Sequence, residues 1–256
     1  MKSSSPSEAK ADYGNWVSKS LIWYPGLLAV MFLELSVYSR YFLIVAFMFI
    51  FMAAYFAYAY YEFSPKGKDI QAKIRRFVLE RLEWDGKGKA LDIGCGNGAL
   101  AVQLAKKYPE AEVTGIDYWE GKWDYSQASC EKNASIEGVA YRVNFRKASA
   151  ARLPFEDGAF DAAVSNFVFH EVVDAQNKRD VVKEALRVVR KGGCFAFQDL
   201  FTVKKLYGNV DDLLAEIRSW GIEDVRFVNT SNADFIPRPL KLPFMVGSIG
   251  IIYGRK

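Results

Sequence analysis
The residues able to do chemistry fall in short blocks far apart in the chain. Asp92 precedes Gly94 in LDIGCGNG, Asp117 lies in TGIDYW, Asp199 follows CFAFQ, and His170, the single histidine, lies in SNFVFHEV. A neutral imidazole can take a proton from an acceptor oxygen, nitrogen or thiol, so His170 is the first candidate for a general base. Glu171 and Asp199 are alternative bases, or carboxylates that orient a cationic acceptor. All three read equally as groups that merely fix or solvate their loops. Gly94, Gly96 and Gly98 let the backbone turn sharply and meet a ligand without Cβ obstruction, and the helix start beyond them offers unpaired N–H groups. Gly94, Gly96 and Ala99 also satisfy the G-x-G-x-x-(G/A) pattern of dinucleotide sites, and Asp117 would accept hydrogen bonds from a ribose in either case. Asp92 separates the two readings. A carboxylate there repels a pyrophosphate and attracts the ammonium of an amino acid.

These side chains need a scaffold that gathers them at one edge. Strand-like runs at Ala90–Ile93, Glu112–Asp117, Tyr141–Lys147, Phe160–Ser165, Cys194–Asp199, Asp224–Asn229 and Gly247–Tyr253 are mostly separated by helical patterns. A basic helix around Asp69–Leu82 precedes them, and the separating helices are Gly98–Lys107, Tyr125–Glu137, Asn177–Arg190 and Val210–Trp220. Such alternation predicts an α/β fold with helices on both faces of a mostly parallel sheet, and a ligand beyond the carboxyl ends of the strands.

The N-terminal quarter reads differently. Tyr41–Tyr61, YFLIVAFMFIFMAAYFAYAYY, holds no charge, proline or glycine, and only Glu34 and Arg40 are charged between Ser20 and Tyr61. A helix of this length rises about 31 Å, close to the roughly 30 Å of bilayer hydrocarbon. A second apolar stretch, Leu21–Tyr38, precedes it, with Pro25 suited to a first helical turn. Lys2, Lys10 and Lys19 lie before the pair, and Lys66, Lys68, Lys73, Arg75 and Arg76 after it. Positive-inside logic then predicts a hairpin with both ends, and the catalytic domain, on the cytoplasmic side of the membrane. Glu34 opposes full insertion of the first helix unless it reaches the outer interface or pairs with Arg40. The competing arrangement spans with the second helix alone. Boundaries follow: an anchor over 1–62 with helices near 21–38 and 41–61, a basic linker helix over 63–83, and a catalytic domain over 84–256. Residues 1–15 are polar and expected to be loose.

Composition excludes little else. The chain is 51% hydrophobic, and that excess is concentrated at the N-terminus. A net charge of +4 with no long basic run gives no case for nucleic acid as a partner. Cys95, Cys130 and Cys194 have no metal-ligand spacing, so no metal is expected, and they fit a reduced compartment as small core residues. Asn232–Val246, NADFIPRPLKLPFMV, is rich in apolar residues for a stretch whose prolines preclude a regular helix.

Taken in order, LDIGCGNG, GIDYW, ARLPFEDGAFDAAVSN and ALRVVRKGGCFAFQD resemble a class I S-adenosylmethionine-dependent methyltransferase of the small-molecule type. The resemblance covers roughly residues 69–256. It implies a Rossmann-like, doubly wound seven-stranded sheet with an antiparallel last strand, preceded here by the N-terminal transmembrane helical hairpin, and S-adenosyl-L-methionine as cofactor. It also implies that Asp92, Gly94, Cys95, Gly96, Asn97 and Gly98 line the methionine portion, with Asp92 near the amino group. Asp117 would hold the ribose hydroxyls, Tyr118 or Trp119 would pack on the adenine, and Asn166 would lie near the sulfonium. Ser149 and Ala150 stand where the family often has Asp-Ala at the adenine edge, so the adenine contact falls to a hydroxyl or to backbone groups. The expected activity is direct displacement onto a small, lipophilic acceptor held at the membrane, with lipids, and possible copies of the same chain, as partners. A membrane scaffold without catalysis and an NAD-dependent oxidoreductase are the rival readings.

Overall fold
The computed structural model describes residues 10–120, 125–222 and 224–256. Lys2 and Trp123 therefore lie outside the described residues. The chain divides into two compact units: residues 15–74 form one, and residues 10–14 with 75–256 form the other.

In the smaller unit, α1 (Ser20–Leu35) and α2 (Tyr41–Phe63) are joined by a short turn. Phe32 stacks on Phe49 at 5.6 Å and leans on Phe42 at 5.9 Å, so aromatic packing joins the two helices. Helix α2 has 23 residues and is the only one long and apolar enough to cross a membrane among the described residues. The first helix ends at Leu35, short of the expected Tyr38. Its 16 residues rise only about 24 Å, less than the hydrocarbon thickness. Glu34 does not pair with Arg40 among the described residues; the guanidinium lies over the Tyr41 ring instead. Asn15 and Trp16 fold back onto this unit: the Asn15 amide donates to Tyr60 O at 3.0 Å and Trp16 packs on Phe63.

The division between units falls within α3 (Ile70–Arg81). Apolar residues recur along this helix, and Val78 and Leu79 pack in the core of the larger unit. The expected linker is thus a packed helix.

The larger unit is built on a seven-stranded sheet in the order β3-β2-β1-β4-β5-β7-β6. The strands are β1 (Gly88–Ile93), β2 (Ala111–Asp117), β3 (Val143–Lys147), β4 (Phe160–Asn166), β5 (Val189–Asp199), β6 (Asp224–Asn229) and β7 (Gly250–Arg255). Only β7 runs antiparallel to its neighbours β5 and β6. Between strands come α4 (Ala99–Lys107), α5 (Gln127–Ile136), α6 (Lys178–Arg187), the single turn α7 (Lys204–Tyr207) and α8 (Val210–Ser219). Strand alternation divides the apolar side chains between two cores. Leu91, Ile93, Phe195 and Phe197 join α6 and α8 on one face, while Ala90, Val113, Ala162 and Ala196 join α4 and α5 on the other. The chain crosses from one side of β1 to the other on passing to β4. That switch point opens the carboxyl edge between β1 and β4 to a ligand.

Candidate active site
The loop after β1 begins the site. Gly94 and Cys95 donate to Ile116 O at 2.7 and 2.9 Å, folding the loop across the end of β2. Gly94 has φ +72°, and a Cβ there would collide with the Val168 side chain. Gly98, at φ +80°, forms the N-cap of α4. Asp117, at the end of β2, accepts Gly96 N–H through Oδ2 and Trp119 N–H through Oδ1, each at 2.9 Å. One carboxylate thereby braces the loop while keeping lone pairs for further donors. The Trp119 indole N–H donates to Gly96 O at 2.8 Å, which ties that ring to the loop and leaves Tyr118, 49% exposed with the Lys147 ammonium 5.1 Å over its ring, as the other aromatic beside Asp117. Cys95 points into the core with its thiol pKa pushed up by burial, so only its backbone lies on the loop surface. Asn97 uses Oδ1 to accept Ser126 N–H at 3.3 Å.

Asp92 is the unusual member. It is 1% exposed, and neither carboxylate oxygen has a hydrogen-bond partner of normal geometry. Burial pushes its pKa up to about 7, the Ala101 amide and the Arg75 charge opposing and the Asp117 charge assisting. Arg75, itself buried, therefore places a positive group within electrostatic range of an unsatisfied negative one.

Three parts of the site were not expected from the sequence. Tyr125 fills the space in front of the loop: a Cβ on Gly96 would lie 3.3 Å from one edge of its ring, and a Cβ on Gly14 would lie 3.5 Å from the other. Asn133, buried on α5, donates to Asp12 O at 2.8 Å and Asn97 O at 3.0 Å and accepts Asp12 N–H at 3.0 Å. Residues 12–14 are thus strapped across the loop, where the sequence predicts a loose end. A polar residue in line with Cys130 and Ala134 on the buried face of α5 was the available clue.

On the other side of the switch point, β4 and β5 bring His170 and Asp199 together. His170 Nδ1 lies 2.8 Å from Asp199 Oδ1, and Asp199 is fully buried. Asp199 also accepts the N–H groups of Val168, His170 and Leu200, at 3.1, 3.3 and 2.6 Å. Burial alone would lower the His170 pKa, but the hydrogen bond and charge of Asp199, aided by Glu171 and opposed by Lys178, raise it. The buried Tyr207 hydroxyl lies against Asp199, and its pKa is raised by burial first and then by that charge. Glu171 is exposed, its Oε1 3.9 Å from His170 Nε2. Asn166 accepts from the Gln198 amide at 2.6 Å, which in turn accepts from Thr230 at 3.0 Å. Ser149 donates to Asp174 Oδ2 at 3.1 Å and accepts Ala151 N–H at 3.2 Å, while Ala150 is buried. A carboxylate thus stands beside position 149 although the residue there is serine.

The sheet order, the braced glycine loop and the acid after β2 define an α/β domain for a nucleoside-bearing cofactor. Residues 91–197 match the family described as "Methyltransferase domain", and the sheet around them has the fold of the class I S-adenosylmethionine-dependent methyltransferases. An O-methyltransferase, rstn1, from Aspergillus nomiae is 31% identical over 153 residues, 59% of this chain and 64% of the relative. The ubiquinone/menaquinone biosynthesis C-methyltransferase UbiE of Desulfotalea psychrophila is 31% identical over 119 residues, 46% of this chain and 44% of the relative. The chain thus spans roughly half to two thirds of the length of these curated relatives. Among solved structures, the [4+2]-cyclase SpnF superposes with a TM-score of 0.55 at 22% identity, covering 72% of this chain and 81% of that one. Geranyl diphosphate C-methyltransferase from Streptomyces coelicolor, in complex with Mg2+, geranyl diphosphate and S-adenosyl-L-homocysteine, gives 0.54 at 15%, covering 74% and 80%. At such identities the likeness shows the fold alone.

Proposed function
We propose that this chain transfers a methyl group from S-adenosylmethionine to a small lipophilic acceptor at a membrane, with His170 as the general base. The observation that carries the reading is the His170–Asp199 pair at the same strand edge as the braced glycine loop. The residues present fit the cofactor. The unsatisfied Asp92 carboxylate and the buried Arg75 match the ammonium and carboxylate of its amino-acid part. Asp117 is placed for the ribose hydroxyls, Tyr118 for the face of the adenine, and Asp174, held by Ser149, for its amino edge. When bound, the cofactor supplies a methyl on a positively charged sulfur that leaves as a neutral thioether.

Asp199 accepts the Nδ1 hydrogen of His170 and so leaves Nε2 with its lone pair toward the acceptor. His170 Nε2 would take the acceptor's proton as the acceptor is methylated. Asp199 stabilises the imidazolium that forms. Holding acceptor and methyl in line supplies much of the acceleration, and the base adds the remainder. Glu171 and Asn166 take orienting roles at the rim.

The membrane part of the proposal rests on α2, an apolar helix of 23 residues. The shorter α1 favours a single span over two. The anchor, the packed α3 and the domain after it keep the expected order, with the domain on the cytoplasmic side. The test is calorimetric titration of the full-length protein in detergent with S-adenosylmethionine and with NADH, repeated on Asp117→Ala. Sulfonium-cofactor binding lost in the variant supports the reading, and absence of binding to folded protein would favour a scaffold.

A further inference from the structure
The turn between β6 and β7 has no part in the chemistry described above. Gly250 opens β7 opposite Asp199, so residues 230–249 lie at the same sheet edge as the His170–Asp199 pair. At its tip, Leu242 is 38% and Phe244 66% exposed, the largest apolar exposure in this segment. An exposed leucine and phenylalanine on a loose loop would mean little, but this tip is built rigidly. Ile236, Leu240, Val246 and Ile249 form a buried base. Met245 N–H and Gly247 N–H both donate to Leu242 O at 2.9 Å, and Val246 N–H donates to Leu240 O at 3.2 Å. Gly247 packs against the backbone of Lys241 and Leu242 so closely that no Cβ would fit. Pro243 stiffens the apex. The fold thus holds two apolar side chains out into solvent on a braced knuckle.

The surroundings are basic. Thr202 donates to Ser248 O at 2.8 Å, and Ser248 donates to Pro243 O at 3.5 Å, which ties the segment after β5 to the knuckle. That segment brings the exposed Lys204 and Lys205, and the turn itself carries Arg238 and Lys241, against Asp234 as its one acid. Lys241 Nζ donates to Ala233 O at 3.2 Å, which leaves Arg238, Lys204 and Lys205 as the exposed cations of these segments. An apolar tip with such cations beside it in the chain matches a bilayer with anionic lipids, whose headgroups attract the cations and whose acyl region accepts the tip.

We infer that Leu242, Pro243 and Phe244 form a membrane-docking knuckle for an anionic lipid bilayer, which turns the acceptor edge of the domain toward the lipid. The inference rests on the membrane reading of the function and names the surface that faces the membrane. An acceptor dissolved in lipid then reaches His170 without crossing water.

The test uses the full-length protein in nanodiscs of phosphatidylcholine and phosphatidylglycerol that carry nitroxide-labelled acyl chains. Phe244→Cys and, separately, Leu242→Cys are labelled with a fluorophore; Cys95, Cys130 and Cys194 are buried and stay unlabelled. Tyr141→Cys is the control, 82% exposed just before β3 at the opposite edge of the sheet. Quenching at 242 or 244 at least threefold stronger than at 141 is the expected result. Equal quenching at all positions, or none at 242 and 244, would overturn the knuckle. Cofactor titration of the same samples separates the outcomes: binding with an unquenched tip removes this inference alone, and a quenched tip without binding removes the proposed function alone.

Discussion

His170 and Asp199 stand 29 positions apart in sequence, and their side chains meet at 2.8 Å because β4 and β5 are neighbours. The register pairs Asn166 with Gln198, so the residues following each strand emerge side by side. Asp199 is fully buried and also binds the backbone of the loop that carries its partner. Loop conformation and imidazole tautomer are therefore set by one carboxylate.

The pair makes a pH signature. A base needs neutral Nε2, and the His170 pKa is raised above its ordinary 6.5, so activity should climb through a pH above that value. Asp199→Asn removes the charge and weakens the hydrogen bond that raise it, so the rising limb should move to lower pH while the rate falls roughly tenfold or more. His170→Ala should abolish the limb and leave cofactor affinity within about twofold. Initial rates from pH 5 to 9, with calorimetry alongside, check both. An unchanged profile in His170→Ala would remove the base from the mechanism.

Asp92 sets stability against binding. Its folded pKa of about 7 lies above the ordinary 3.8 of an exposed carboxyl, so the folded domain holds a proton that the unfolded chain releases. Stability is then greatest below the unfolded value and falls as pH rises towards 7, by an order of 4 kcal/mol. Asp92→Asn should raise the Tm at pH 8 and weaken cofactor binding at least tenfold. Thermal melts and titrations at pH 5 and pH 8 measure the two effects separately.

Gly94 tests the close approach at the switch point. Gly94→Ala must both hold φ +72° and displace Val168, whose N–H is bound by Asp199. A loss of about 1–3 kcal/mol in stability is expected, together with weaker cofactor binding. Adding Val168→Ala should restore part of both losses, read as a non-additive double-mutant cycle. Full additivity would show that the contact does not matter.

Much of this was legible because it is local. Alternating runs placed every strand, and Asp117 and the glycine loop belong to one βαβ unit in sequence. The helical pattern over Asn177–Arg190 runs past the end of α6 at Arg187; Val189 and Arg190 belong to β5, which the pairing of Val189 with Phe160 across a bulge extends. Gly247–Ile249 reads as strand but closes the turn before β7, since its neighbours Leu242 and Lys241 lie too near for a ladder. The link from Asn133 to Asp12 spans 121 positions, and helical periodicity places the amide on the buried face of α5 without naming its partner. The roles of Tyr125 and Arg75 likewise come from tertiary placement.

Asn133 gives a prediction from that unread part. Asn133→Asp keeps the acceptor for Asp12 N–H but loses the donors to Asp12 O and Asn97 O. A cost of roughly 1–3 kcal/mol is expected. Hydrogen exchange at residues 12–14 should rise, and the cofactor should dissociate faster. Unchanged exchange there would mean that the strap is held by other contacts.

Asp92 and Asp117 also bear on how the reaction ends. The ammonium and ribose that the proposed function assigns to them are the same before and after the methyl group leaves. Contacts shared by both states lower the KM without raising turnover. The demethylated product, keeping every one of those contacts, competes with fresh donor on nearly equal terms. An enzyme gripping its cofactor in this way senses the ratio of donor to spent product around it, and slows as the spent form accumulates.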